Sequence, residues 1–237
     1  MNPFDFAVMT WVNQFSQHSS AFNRVMMFIP GNELLKGAVV ATFIWWAWFK
    51  RDKDRPLSRE HVVATLVGCL VAIVLGRALA LVLPYRARPM SAEELRFILP
   101  FGETPTSLGF DGSNSFPSDH AVLFFALSIG LLYVSRKAGL WAIAFSIVVV
   151  SFPRVYLGYH FPTDIIAGAV LGVAIAVVAN TYLTRTRFVG ALVELSDSRP
   201  TLFYPGLFLL TLEIAEMFES SRQLASAVAR VIRSVIP

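Results

Sequence analysis

The 237-residue chain has a single cysteine, and only 15% of its residues are charged. Cys69 lies inside an apolar run, so neither an intramolecular disulfide nor a cysteine-based metal cluster can form. So few charges cannot cover a water-soluble domain whose residues are 55% hydrophobic. Nor is there a basic face. The formal net charge is +4, but the Lys and Arg residues fall in short segments between apolar runs, which excludes a nucleic-acid-binding surface. The first residues, MNPFDFAVMTWVNQFSQHSS, lack the basic start, unbroken apolar core and small-residue cleavage site of a signal peptide, so this stretch is expected to be retained. No internal repeat, low-complexity tract or linker divides the chain, and residues 1–237 are expected to form one integral membrane domain.

What remains is apolar length. Five segments, roughly 33–49, 61–84, 118–135, 140–153 and 164–183, are long enough to cross a bilayer or nearly so. The fold class expected is all-α: a polytopic membrane bundle of five to six transmembrane helices, its core about 33–183, with amphipathic N- and C-terminal helices. In the 1–32 region, Phe4, Val8, Trp11, Val12 and Phe15 recur at helical spacing, as in an interfacial helix with one face in lipid. In the 201–237 region an apolar stretch holding Glu213 and Glu216 precedes a second amphipathic pattern, Leu224 and Val228 against Arg222 and Arg230, read as a peripheral segment. Residues 184–200 read as a loop.

Loops on alternate sides differ in charge. The first, third and fifth carry ten basic residues: Lys50, Arg51, Lys53, Arg55, Arg59, Arg136, Lys137, Arg185, Arg187 and Arg199. The second and fourth carry four: Arg86, Arg88, Arg96 and Arg154. The poorer side is expected to face outward.

Three short patterns fall on that outward side: YRARP with Arg88, FPSDH with Ser118 and His120, and PRVYLGYHFPTD with Arg154, His160 and Asp164. Each has an ordinary structural reading. Arg88 would be an interfacial anchor, Ser118 a helix cap, and Asp164 the N-cap of the last span. His160 and Asp164 are also spaced as two metal ligands one helical turn apart. Converging on one face from three places, the six suit phosphoryl transfer better. Arginine forks match the equatorial oxygens of a phosphoryl group, and the Ser118 hydroxyl with the helix start adds neutral donors. One histidine can attack phosphorus while its other ring nitrogen donates to a carboxylate, as His160 could to Asp164; the second can serve as acid and then base. A two-metal phosphatase would need several carboxylates around its ions, and of Glu93, Glu94, Glu103, Asp111, Asp119 and Asp164 most are scattered through a loop without ligand-like spacing.

These residues resemble the type 2 phosphatidic acid phosphatase superfamily, which includes bacterial acid phosphatases and vanadium haloperoxidases. Arg88-Pro89, Pro117-Ser118-x-His120 and Arg154-five residues-His160-three residues-Asp164 match its three motifs in order. The resemblance implies a metal-independent phosphatase without a cofactor. In it His160 would be the nucleophile, His120 the acid and base, Asp164 the orienting carboxylate, and Arg88, Ser118 and Arg154 the phosphate pocket. Three positions depart from the pattern. Leu81 stands at the first lysine, with Arg77 or Arg86 as candidate replacements; Asp119 stands for a glycine, and Pro153 for a serine. PSDH, with the N-terminal stretch and VMMFIP, is similar to the bacterial branch that dephosphorylates undecaprenyl diphosphate. The implied setting is a bacterial cytoplasmic membrane with the site facing the periplasm or exterior, and the implied partners are a lipid phosphate or diphosphate and membrane lipids. Phosphatidylglycerophosphate, phosphatidate or lipid A are alternative substrates within the family, and a non-enzymatic lipid flippase or transporter is the alternative outside it.

Overall fold

The computed structural model describes residues 1–16, 18–32, 34–50, 57–110 and 112–235; Arg51, Lys53, Arg55 and Asp111, counted above, lie outside the described residues. All regular structure among the described residues is helical. The N-terminal part holds α1 (Pro3–Phe15), α2 (Ser20–Gly31), α3 (Val39–Phe49, after a π-helical turn at Leu34–Ala38) and α4 (Ser58–Val82). A long connection then leads to α5 (Asp119–Val134), followed by α6 (Arg136–Phe145) and α7 (Phe152–Tyr156), joined by a π-helical turn at Ser146–Ser151. The chain continues as α8 (Pro162–Tyr182), α9 (Arg187–Ser198), α10 (Pro200–Ala215) and α11 (Glu219–Val235).

Among the described residues three stretches, Ser58–Val82, Arg136–Tyr156 and Pro162–Tyr182, are long and apolar enough to cross a membrane. A fourth is reached only if α10 and α11, bent 87° apart, count as one span. This is fewer than the five to six expected. The apolar run of 118–135 yields a helix of 16 residues, about 24 Å long at 1.5 Å per residue, short of a hydrocarbon core of about 30 Å. The reason is its place in the bundle. Most of α5, from Ala121 to Val134, is buried against α4, α6 and α8, so its surroundings are protein, and its length need not match lipid. Its neighbours come close through small residues. A Cβ on Gly168 of α8 would lie 2.6 Å from the Ser118 carbonyl oxygen, and one on Gly172 would lie 2.2 Å from that of Val122. The two glycines, four residues apart on one face, let the backbones of α5 and α8 approach.

Two other expectations change. Residues 187–198 are a helix instead of a loop, because Val189, Leu192 and Val193 recur at helical spacing and pack into the core cluster with Val62, Val63 and Leu66. The N-terminal helix is docked on protein along one face and exposed along the other. Phe4, Trp11 and Phe15 are exposed, but the buried face of α1 carries Asp5, Met9, Val12 and Asn13. Asn13 exchanges hydrogen bonds with the backbone of Ile98, and Asn23 of α2 accepts one from the Tyr156 hydroxyl at 2.6 Å. The α1–α2 hairpin therefore caps the end of the bundle where α4 and α7 finish and α5 and α8 begin.

Candidate active site

Two helix starts and one tight loop build the site. Ser118 is the N-cap of α5; its Oγ accepts from the Ala121 N–H at 3.4 Å, and its own N–H donates to the Asp164 carbonyl at 3.2 Å. Pro162 opens α8, where Asp164 Oδ2 accepts from the Phe161 N–H at 2.8 Å. Between Arg154 and His160 the chain folds back on itself. The Tyr159 and His160 N–H groups both donate to the Arg154 carbonyl, at 2.8 and 3.3 Å. This reversal needs Gly158 at φ 68°, where a Cβ would also lie 2.9 Å from the Phe97 ring. The five-residue spacing thereby turns Arg154 and His160 toward one cavity.

That cavity, of about 240 Å³, is lined by Pro30, Arg88, Phe110, Asp119, His120, Arg154, Tyr159 and His160. Arg88 is held by three acceptors: its Nε donates to Ser113 Oγ at 2.9 Å, Nη1 to the Tyr159 carbonyl at 2.6 Å and Nη2 to the Asn114 carbonyl at 3.3 Å. The fork also sits 4.5 Å from the centre of the Phe110 ring. Burial lowers the Arg88 pKa below its ordinary value, and the carboxylates of Asp119 and Asp164 push the other way. Arg154 is buried, with Nη1 donating to the Val150 carbonyl at 2.6 Å.

The two histidines are held differently. His160 Nδ1 lies 2.8 Å from the Ser115 carbonyl, which can only accept, so Nδ1 is the donor, and the lone pair of a neutral ring falls on Nε2. The sequence suggested Asp164 for that partner, but its Oδ2 stays 3.8 Å from Nδ1, beyond hydrogen-bond reach. Asp164 acts at one remove: Oδ2 accepts from the Ser115 hydroxyl at 2.6 Å and from the Phe161 N–H, while Oδ1 pairs with Arg86. His120 Nδ1 contacts Asp119 Oδ1 at 2.9 Å, so the carboxylate that replaces a family glycine supports His120.

Not every sequence-nominated residue reaches the cavity. Ser118, fully buried, is a helix cap and does not line it. Arg86 bridges two buried carboxylates, with Nη2 donating to Asp5 Oδ2 at 2.6 Å and Nη1 bonding Asp164, and its guanidinium stacks 4.2 Å from the centre of the Phe161 ring. Leu81 is 87% exposed, so the position of the family lysine points away from the pocket. Arg77, one turn earlier on α4, bonds the Met217 carbonyl and lines a neighbouring chamber with Asp119 and His120. Two contributors were missed. Ser115 acts through its carbonyl and hydroxyl, and Asp5 accepts from the Thr163 N–H at 3.1 Å and from its hydroxyl at 2.6 Å at the start of α8. A single acid among Phe4, Phe6 and Ala7 was the available signal for Asp5.

Residues 63–188 match the PAP2 superfamily. Undecaprenyl-diphosphatase BcrC of Bacillus subtilis (strain 168) is 26% identical over 164 residues, covering 69% of this chain and 76% of that protein. Lipid A 1-diphosphate synthase of Escherichia coli (strain K12) is 30% identical over 172 residues, 70% of each chain. A crystal structure of a transmembrane PAP2-type phosphatidylglycerolphosphate phosphatase from Bacillus subtilis aligns with a TM-score of 0.45 at 20% identity, covering 78% of this chain and 87% of that one. The matched region takes in the helices that carry His120 and Asp164 together with the loop that carries His160, and at more than half of the 237 residues it establishes that the chain belongs to the PAP2 superfamily.

Proposed function

We propose that the protein is a membrane lipid phosphatase that hydrolyses undecaprenyl diphosphate to undecaprenyl phosphate through a phosphohistidine. The observation that carries this reading is His160. Its Nδ1–H is committed to a backbone carbonyl and its ring lies on a cavity shared with two arginines and a second histidine. Family membership and the similarity to a protein named undecaprenyl-diphosphatase support the substrate.

In the first step His160 Nε2 attacks the terminal phosphorus, a P–N bond forms, and the P–O bond to the lipid phosphate breaks. Arg88 and Arg154 hold the equatorial oxygens, and Arg88 is held by the loop before substrate arrives. His120 gives a proton to the leaving oxygen, and Asp119 stabilises the charged ring beforehand. In the second step water attacks phosphorus, its proton passes to His120, the P–N bond breaks, and phosphate leaves. Asp119, the carboxylate on the cavity wall, is partnered by His120, and Asp164 behind the wall by Arg86 and Ser115, which supports chemistry without a metal. Residues 1–237 act as one domain in the bacterial cytoplasmic membrane, with the site on the periplasmic or outer side. Arg86, Arg88 and Arg154 are engaged in or beside the site, which leaves Arg96 as the exposed basic group among the four counted on that side.

The test is phosphate release from undecaprenyl diphosphate by purified protein in detergent. His160→Ala should lose turnover while keeping its helical circular dichroism, and the wild type should keep its rate in EDTA. Near-parental release by His160→Ala would remove the nucleophile; activity lost in EDTA and restored by a divalent ion would remove metal independence.

A further inference from the structure

Behind the catalytic cavity lies a second chamber of about 230 Å³, and the two share Asp119 and His120 as wall residues. The far wall of the chamber is Arg77 of α4 together with the α10–α11 bend, including Glu219 and Arg222. The bend is held in a costly conformation. Met217 and Phe218 take φ of 54° and 58°, a left-handed region that non-glycine residues seldom occupy, and the Arg77 guanidinium binds the Met217 carbonyl. Strain held in place beside a site is a reason to ask what it positions.

It positions the end of α10. Ala215 and Glu216 are wall residues of the chamber and also of a groove of about 740 Å³ between α3 and α10. The groove wall includes Ala41, Trp45 and Trp46 on one side and Phe208 and Leu212 on the other. From Gly37 to Lys50 it extends about 20 Å at the rise of a helix. Two further apolar grooves exist, one between α4 and α8 of about 360 Å³ and one against α9 and α10 of about 250 Å³. Neither shares a wall residue with the cavity or the chamber.

From the cavity outward, the surroundings change from arginine and histidine, to a mixed chamber with two arginines and carboxylates, to an apolar trough. That sequence matches a lipid diphosphate, with its terminal phosphate, its lipid-bearing phosphate and its hydrocarbon chain in order. We propose that the groove between α3 and α10 is the bed of the substrate's polyprenyl chain, reached through the chamber walled by Arg77 and Arg222. The proposal rests on the lipid-phosphatase reading. It places the lateral opening of the site beside the end of α10, at Ala215 and Glu216, next to the bend of Met217 and Phe218.

The experiment compares two substrates. Ala41→Trp and Leu212→Trp each fill the groove from one wall, and each should raise KM for undecaprenyl diphosphate about tenfold, the loss of roughly two buried methylenes. Hydrolysis of isopentenyl diphosphate, whose chain is too short to enter, should keep its KM and kcat. An unchanged KM for the long substrate in both variants overturns the proposal, as expected if bulk lipid or a second copy of the chain fills the groove. If both variants also lose the short substrate, the wild type decides. An undecaprenyl diphosphate analogue with a photoreactive diazirine at its far end must label α3 or α10; labelling confined to α4, α8 or α9, or none, overturns it. Failure of the underlying reading looks different, because wild-type protein would then release no phosphate from either diphosphate while the labelling pattern is still read.

Discussion

His160 and His120 are both held through Nδ1, but by acceptors of different charge, the Ser115 carbonyl and the Asp119 carboxylate. A carbonyl fixes the tautomer without adding charge, as a nucleophile requires. A carboxylate stabilises the charge that an imidazole takes on when it carries a proton, as an acid requires. The assignment predicts different dependence on the leaving group. A lipid phosphate expelled from a diphosphate is a much weaker base than a lipid alcohol expelled from a monophosphate, and needs less help from an acid. His120→Ala should therefore slow phosphoenzyme formation by about 10²–10⁴ with a lipid monophosphate and by clearly less with undecaprenyl diphosphate. Water still needs a base in the second step, so the variant given the diphosphate should accumulate labelled phosphoenzyme in a rapid quench. Equal slowing with both substrates and no accumulation would take His120 out of this role. The two histidines, Arg88 and Arg154 were legible in the sequence because side-chain chemistry at fixed spacing marks them. The Ser115 carbonyl was not, since any residue supplies a carbonyl, and Asp5 was not, since its partners Arg86 and Thr163 are distant in sequence. Ser118 was legible both as cap and as phosphate ligand, and its burial favours the cap.

The helices α5 and α8 meet closely enough that their spacing decides whether His120 and the Asp164 network share one site. Gly168 and Gly172 make that spacing possible, and a methyl group on either would meet the backbone of α5 well inside contact distance. Gly168→Ala and Gly172→Ala should each cost about 1–3 kcal/mol by overpacking, and should lower phosphatase activity by moving α8 off α5. Gly190→Ala in α9 is the matched control, because a Cβ there meets nothing within 4 Å, and helix propensity favours alanine by up to about 1 kcal/mol. Thermal unfolding in detergent separates them. If Gly172→Ala melts with the control, the close approach is not what holds the two helices. Hydropathy was enough to find α4 and α8, whose long apolar runs face lipid over part of their surface. It also placed α5, whose helix falls short of a bilayer's thickness where protein surrounds it, and it missed α9, whose short amphipathic pattern lay among polar residues.

The arrangement proposed across the membrane rests on chain direction and charge. The cavity lies where α4 and α7 end and α5 and α8 begin, and Lys50, Arg59, Arg136, Lys137, Arg185, Arg187 and Arg199 lie toward the opposite end of the bundle. A short basic loop resists transfer across the bilayer, so the end rich in Lys and Arg should be cytoplasmic and the cavity should open outward. A cavity opening outward would meet lipid diphosphate head groups of the outer leaflet. The single native cysteine makes the orientation measurable, because Cys69 is fully buried and silent toward polar reagents. Thr106→Cys places a thiol on the exposed connection beside the cavity, and Ser198→Cys places one at the end of α9 on the other side. With a membrane-impermeant maleimide on intact spheroplasts, Thr106→Cys should be labelled and Ser198→Cys should be labelled only after permeabilisation. The reverse pattern would put the cavity on the cytoplasmic side, where the protein would have to act on lipid head groups of the inner leaflet, and it would overturn the outward setting proposed from the charge bias.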